Sequence, residues 1–163
     1  MNIILIAGVS GSGKTTWRNV FLKDNPDYVT INADSIRAEL SPINDEGDQT
    51  NNGLIFSKII PQRLEKLITE NKSAIIDNVN ADRRSRKLFI DFAKKYNIDI
   101  LCYYFLPNVE QSVSRIEGRG RKVPRWVIEK QAKNWVTPTI EEGFSQVNDL
   151  TGWENHGESS DGN

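Results

Sequence analysis

The run Gly8-Val9-Ser10-Gly11-Ser12-Gly13-Lys14-Thr15 has the spacing G-x-x-x-x-G-K-[ST], the pattern with which a chain wraps its backbone around phosphate. The glycines let backbone N–H groups curl around an anion, and a helix starting at this point adds positive potential. Lys14 can bridge β- and γ-phosphates, and the Thr15 hydroxyl can hold Mg²⁺. Gly8, Ser10, Gly11, Ser12, Gly13, Lys14, Thr15 and Thr16 are therefore the candidate nucleotide-binding residues. A dinucleotide fingerprint is excluded, because Thr16 stands where the third glycine of G-x-G-x-x-G belongs. Ala74-Ile75-Ile76-Asp77 is an apolar run ending in an acid; an aspartate at the end of a strand can reach Mg²⁺ directly or through water. In Ile31-Asn32-Ala33-Asp34-Ser35-Ile36-Arg37 the acid and the arginine lie three apart and share one face if the segment is helical. Such a carboxylate can accept the proton of an attacking hydroxyl, while the guanidinium holds an acceptor phosphate with two hydrogen bonds; the competing reading is an acid at a helix start paired with a surface arginine. A carboxylate is a weak base for an alcohol, but in a loose phosphoryl-transfer transition state the proton leaves late, so position outweighs basicity. Arg115, Arg119 and Arg121 lie around Gly118 and Gly120 and read as a lid able to bring a guanidinium over bound ATP and exclude water.

These residues need a scaffold. The chain of 163 residues suits one domain, and 37% hydrophobic with 26% charged residues is a globular composition, neither disordered nor fibrous. No apolar run approaches the roughly 20 residues of a membrane span, so the sequence implies no membrane role and a cytoplasmic, soluble protein. Cys102 is the only cysteine and His156 the only histidine, which leaves no disulfide framework, no thiolate zinc site and no His-dependent triad. The net charge of −1 conceals an asymmetry: residues 80–133 hold 13 Lys/Arg against 6 Asp/Glu, the remainder 8 against 16. A polyanion would meet the middle of the chain first.

The predicted elements alternate. Strands are expected over 2–7, 28–32, 73–77, 98–106 and within 143–150, with helices over 15–23, 33–40, 54–68, 81–96, 107–118 and 124–135. Pro61 should kink its helix, and Asn108 with Gln111 should form a capping box. Residues 41–53 read as a mobile loop, and Trp17, Trp126 and Trp135 as core or partly buried. This alternation predicts an α/β fold: a central, mainly parallel five-stranded sheet flanked by helices, with the P-loop domain at 1–150 and a polar, acidic, disordered tail at 151–163.

Together, Gly8 to Trp17, Asn32 to Arg37, Ile76-Asp77-Asn78-Val79-Asn80-Ala81-Asp82, the arginine lid and Pro138-Thr139-Ile140-Glu141-Glu142-Gly143-Phe144 resemble the kinase domain of polynucleotide 5′-hydroxyl kinases, both the bacteriophage enzyme and the mammalian kinase-phosphatase. The resemblance implies the P-loop kinase fold with sheet order 2-3-1-4-5, ATP and Mg²⁺ as cofactors, and 5′-hydroxyl ends of DNA or RNA as partners. It further implies Asp34 as general base, Arg37 on the phosphate 3′ of the acceptor nucleotide, Arg119 on the transferring phosphate, and Arg115 and Arg121 beside the nucleotide. Asn78 and Val79 form a turn near the acceptor, with Val79 where the family often has Thr. Arg83, with Arg84, Arg86 and Lys87, would meet acceptor phosphates. The D-x-D phosphatase and K-x-D-G ligase signatures are absent from the sequence, so the expectation is a kinase without 3′-phosphatase activity. Two other functions fit the P-loop: a kinase of a small metabolite, nucleoside or aminoacyl-tRNA, and a nucleotide-gated switch in which Asp34 is structural.

Overall fold

Continuous apolar runs with no alternation can be satisfied only in a sheet covered on both faces, and the computed structural model, which describes residues 1–40, 51–120 and 123–155, has that sheet. β1 (Ile3–Ala7) and β3 (Ala74–Asp77) are buried at every position. β1 lies between β3 and β4 (Ile100–Tyr104), with β2 (Val29–Ile31) beyond β3 and β5 (Gln146–Asp149) beyond β4. All four pairings are parallel, in the order β2-β3-β1-β4-β5, as the resemblance implies. The register pairs Ile6 with Asp77 and Ala7 with Tyr104. The C-terminal ends of the strands therefore share one edge, where an open parallel sheet binds its ligands.

Alternate residues of β1 divide the core. Ile3, Leu5 and Ala7 pack with α2 (Ala33–Leu40), α4 (Ile60–Thr69) and α5 (Arg83–Lys95), whereas Ile4 and Ile6 pack with Trp17 and Phe21 of α1 (Lys14–Asp24). A third cluster, Val9, Ile116 and Ile128, joins the glycine-rich loop to α6 (Val109–Gly118) and α7 (Arg125–Lys133). Among the described residues, no helix is long and apolar enough to cross a membrane.

Several expectations change in detail. The helix expected from 54 is a composite: α3 (Asn52–Leu54), a π-helical turn Ile55–Ile59, then α4, with Pro61 in the first turn of α4. Proline lacks the N–H that would extend the ladder, and in a first turn none is needed. Residues 41–50 of the expected loop lie outside the described residues, while Asn52 and Gly53 already belong to α3. α5 begins at Arg83 because the Asp82 side chain accepts from Ser85 N–H and caps it. The Asn108 carboxamide likewise caps α6 through Gln111 N–H. α7 stops at Lys133, two residues before the expected end, and the chain is drawn back where Val136 N–H donates to Ala81 C=O at 2.7 Å. Trp17 is core, stacked between Phe21 and Tyr103, and Trp135 is half-buried; Trp126 corrects the expectation at 64% exposed. It sits on the solvent side of α7, whose inner face is Ile128. Residues 151–155 are not a loose tail: Thr151 Oγ1 accepts from Leu106 N–H, Trp153 N–H donates to Leu150 C=O, and Trp153 packs against the Trp17 cluster. Residues 156–163 lie outside the described residues.

Candidate functional site

The site begins where β1 ends. Gly11 (φ 75°) and Gly13 (φ 109°) hold left-handed conformations that favour glycine. A Cβ at Gly8 would stand 2.6 Å from Ser12 Oγ, and one at Gly11 would stand 2.7 Å from the Ser112 carbonyl. The loop is thus built from residues that alone fit its path. α1 follows with Gly13 as N-cap and, among the described residues, no side-chain cap at the positive end of the helix. α5 and α6 are closed by their own side chains, whereas α1, like α4 and α7, is not; what sets α1 apart is the glycine loop that leads into it. Lys14 Nζ folds back to Gly8 C=O at 2.6 Å and Val9 C=O at 3.3 Å. Ser12 Oγ is buried with no hydrogen-bond partner among the described residues. Thr15 is exposed.

Two helices hold the loop from above. Arg115 Nη1 donates to Ser12 C=O at 2.8 Å and Gly11 C=O at 3.3 Å, and Arg119 Nη2 to Thr16 Oγ1 at 3.2 Å. Of the arginines expected to form a lid, Arg115 is thereby docked on the loop and Arg119 on the first turn of α1. Arg121 lies outside the described residues. Gln131 of α7, which spacing gave no reason to select, takes Ser10: its Oε1 accepts from Ser10 N–H at 2.9 Å and its Nε2 donates to Ser10 Oγ. Ser10 therefore faces α7, so its amide is engaged. Beside the loop is a concavity lined by Ser12, Phe105, Asn108, Gln111, Arg115 and Thr151 to Trp153.

The second half of the site hangs on asparagines. Asn32 caps α2 by accepting from Ser35 N–H at 2.9 Å, and its Nδ2 donates to Asp77 C=O at 2.6 Å. Asn78 Oδ1 accepts from Ala33 N–H at 2.8 Å. These two clamps fix the start of α2, with Asp34, to the end of β3. Val79 contributes its backbone: its carbonyl accepts from Gly8 N–H at 2.9 Å, which ties the turn to the phosphate loop. Asn80, in a left-handed conformation (φ 48°), donates from Nδ2 to Ile6 C=O. Asp34, Asp77, Asn78 and the glycine loop thus belong to one edge.

Asp34 and Arg37 pair as their spacing allows, at 2.5 Å, but the arginine is the buried member: side-chain exposure is 85% for Asp34 and 8% for Arg37. Asn52 Oδ1 also accepts from Arg37 Nη2. Asp77 is 4% exposed and its Oδ2 accepts from Arg18 Nη1 at 2.5 Å. Asn78 Nδ2 is buried without a partner among the described residues. Arg83 and Arg84 are exposed in the first turn of α5 and make no ion pair among the described residues. Cations oppose the dipole there, and the pair is left facing solvent. Arg86 corrects the sequence reading. It is fully buried, donating from Nε and Nη2 to both Glu142 oxygens at 2.8 and 3.2 Å and from Nη1 to Asn80 C=O at 3.0 Å, so it is a strut and not a phosphate ligand. Lys87 pairs with Asp91 on the surface. Cys102 is buried, and burial pushes its thiol up to about 12, which makes it inert.

Among the described residues no three His, Cys, Asp or Glu side chains gather to hold a metal. The exposed hydroxyl of Thr15 and the carboxylate of Asp77, which Arg18 holds here, are the oxygen donors that this edge offers a hard cation.

The AAA domain family model matches residues 3–138. A bifunctional polynucleotide phosphatase/kinase of Schizosaccharomyces pombe is 28% identical over 153 residues, 91% of this chain and 33% of that protein. An L-seryl-tRNA(Sec) kinase of Methanococcus maripaludis is 27% identical over 141 residues, 83% of this chain and 53% of that one. The chain thus spans about a third to a half of these curated relatives' length. A solved structure of the Pnkp1/Rnl/Hen1 RNA repair complex superposes with a TM-score of 0.69 at 26% identity, over 82% of this chain and 43% of that one.

Proposed function

The chain belongs to the AAA domain family, and on that premise we propose that it is an ATP-dependent kinase that transfers the γ-phosphate of ATP to the 5′-hydroxyl end of DNA or RNA. The observation that carries this reading is the pair of asparagine clamps. Asn32 and Asn78 tie the helix bearing Asp34 to the strand ending in Asp77, beside an uncapped helix start built for phosphate. The names of the fission-yeast relative and of the RNA repair complex favour a polynucleotide acceptor. The kinase unit is residues 1–150, and Thr151 to Trp153 complete the concavity that takes the base and ribose of ATP.

The phosphates of ATP lie against the glycine loop and the start of α1, and Lys14 moves from the loop carbonyls to the β- and γ-oxygens. Arg119, which reaches Thr16 at the start of α1, turns to the γ-phosphate, and Arg115 keeps the loop in shape. Arg37, on turning from Asp34 and Asn52, and Asn78 Nδ2, which has no partner among the described residues, receive the acceptor phosphate, and Arg83 and Arg84 extend that binding along the strand. Asp34 takes the proton of the 5′-hydroxyl as its oxygen bonds to the γ-phosphorus. The bond from that phosphorus to the β–γ bridging oxygen breaks, and ADP leaves. Thr15 and Asp77 would hold Mg²⁺, which would supply charge neutralisation to the phosphate being transferred. The reading carries a cytoplasmic setting with ATP at hand.

The test is transfer of labelled γ-phosphate from Mg·ATP to matched 5′-hydroxyl and 5′-phosphate oligonucleotides. Label should enter the 5′-hydroxyl strands alone. Asp34→Asn should lose about 10²- to 10⁴-fold in kcat, and Arg37→Ala should raise KM for the oligonucleotide. Transfer to seryl-tRNA with none to any oligonucleotide end would establish instead the second reading, which the archaeal relative favours.

A further inference from the structure

We propose that Arg18 is a resident counter-cation that a divalent metal must displace from Asp77, so that this carboxylate is closed to free metal ions and opens to metal arriving on a nucleotide. The inference rests on the reading of Asp77 as the metal carboxylate. Asp77 ends β3 with its side chain 4% exposed, and a carboxylate so placed needs a neutralising partner. Arg18 supplies it from α1. It lies three residues beyond Thr15, so both side chains rise from the same face of the helix, and the guanidinium occupies the carboxylate that a Thr15-bound cation would share. Two cations on one carboxylate repel each other at short range.

The pair is built to exchange. Arg18 gives Asp77 one hydrogen bond, from Nη1 to Oδ2 at 2.5 Å. Its Nη2 turns away to Asn19 Oδ1 at 3.3 Å, and its Nε is buried with no partner among the described residues. No hydrogen bond reaches Asp77 Oδ1 among those residues. A guanidinium in its final, fully bonded place would present two parallel donors to the carboxylate. This one is 20% exposed. Release of Arg18 leaves an anion that a divalent cation satisfies better than water, and nucleotide phosphates supply the rest of its coordination.

The experiment titrates Mn²⁺ into the nucleotide-free full chain and reads the free ion by electron paramagnetic resonance. Arg18→Met should bind Mn²⁺ at least tenfold more tightly than the unmodified protein, and the gain should vanish in Arg18→Met/Asp77→Asn. Arg18→Lys, which keeps a cation on the carboxylate, should stay near the unmodified protein. Arg18→Gln, uncharged but still able to donate a hydrogen bond to Asp77, is the parallel variant if Arg18→Met does not fold, and should show the same gain. No gain in the folded uncharged variant, or a gain that survives Asp77→Asn, overturns the proposal. Because the readout needs neither nucleotide nor acceptor, a failed oligonucleotide transfer with the Mn²⁺ gain intact would overturn the acceptor assignment alone. Normal transfer with no gain would overturn this inference alone.

Discussion

Two arginine–carboxylate pairs flank the same turn and are built in opposite ways. Arg86 and Glu142 are 0% and 7% exposed, joined by two hydrogen bonds, with the third guanidinium nitrogen on Asn80 C=O and Glu142 Oε2 also accepting from Thr139 N–H. Every polar atom of the arginine is used. Arg18 and Asp77 share a single hydrogen bond and leave Nε without a partner among the described residues. Both pairs neutralise a buried carboxylate, yet only the first is a finished structure. Arg86 fixes the carbonyl of Asn80, whose side chain holds β1, and one residue earlier Val79 C=O holds Gly8. It is therefore a strut under the phosphate loop, whereas the Arg18 pair lies at the reacting edge and is free to change partners. A complete hydrogen-bond set marks scaffold, and an incomplete one marks a place kept open.

Breaking the strut should have the largest effect. Arg86→Ala leaves the Glu142 carboxylate buried and unpaired and the Asn80 carbonyl without its donor, a loss of about 3–5 kcal/mol by denaturant unfolding. The double replacement Arg86→Met/Glu142→Leu should recover most of that loss, because both charges go together. The comparison sharpens with metal: Mn²⁺ should restore stability to Arg18→Met and leave Arg86→Ala unchanged. Equal restoration of both would mean that the two pairs do not differ in kind.

How far these two regions were legible follows from sequence separation. The glycine loop and the buried strands are short local runs whose types and spacing carry their own meaning, and Asp34 with Arg37 is an i,i+3 pair. Sheet order came from resemblance, because nothing local says which strand lies beside which. Arg18–Asp77, Arg86–Glu142 and Ser10–Gln131 span 59, 56 and 121 residues, and no periodicity points across such distances. The basic run 83–87 invited a phosphate-binding reading for Arg86, yet a signal was present: Arg86, Phe89, Ile90 and Ala93 fall at i, i+3, i+4 and i+7, the buried stripe of α5. An arginine on such a stripe needs an internal partner, and Glu142 lies in the one acidic motif for which the sequence gave no role.

The cap of α5 sets the position of the strut and should give an intermediate effect. Asp82 accepts from Ser85 N–H at 2.8 Å, and Arg86 N–H donates to Asp82 C=O, so the cap fixes the turn that delivers Arg86. Asp82→Ala should cost about 1 kcal/mol at neutral pH. The Ser85 amide bond, the largest cause, holds the Asp82 carboxyl below its ordinary value of 3.8. A depressed folded value means that the stabilisation is present above the ordinary value and is lost as the pH falls through the folded one. The gap between Asp82→Ala and the unmodified protein should therefore be full at pH 7 and close on acidification below that range. A gap that is constant with pH would assign the effect to helix propensity and not to the charged cap.

The smallest effect belongs to a third cation–carboxylate pair, one turn along the same helix. Lys87 and Asp91 lie at i,i+4 and meet at 2.6 Å, a geometry as short as that of Arg18–Asp77, but they are 68% and 59% exposed. Water and salt screen such a pair, and holding two flexible side chains together offsets part of what contact gains. Lys87→Ala should change stability by no more than about 0.5 kcal/mol, and the change should vanish in high salt while the Arg86→Ala loss persists. Comparison of the three pairs in one denaturant series at low and high salt separates distance from environment. If Lys87→Ala proved as costly as Arg86→Ala, contact length and not burial would be ranking the pairs, and the distinction between strut and exchangeable partner would fall with it.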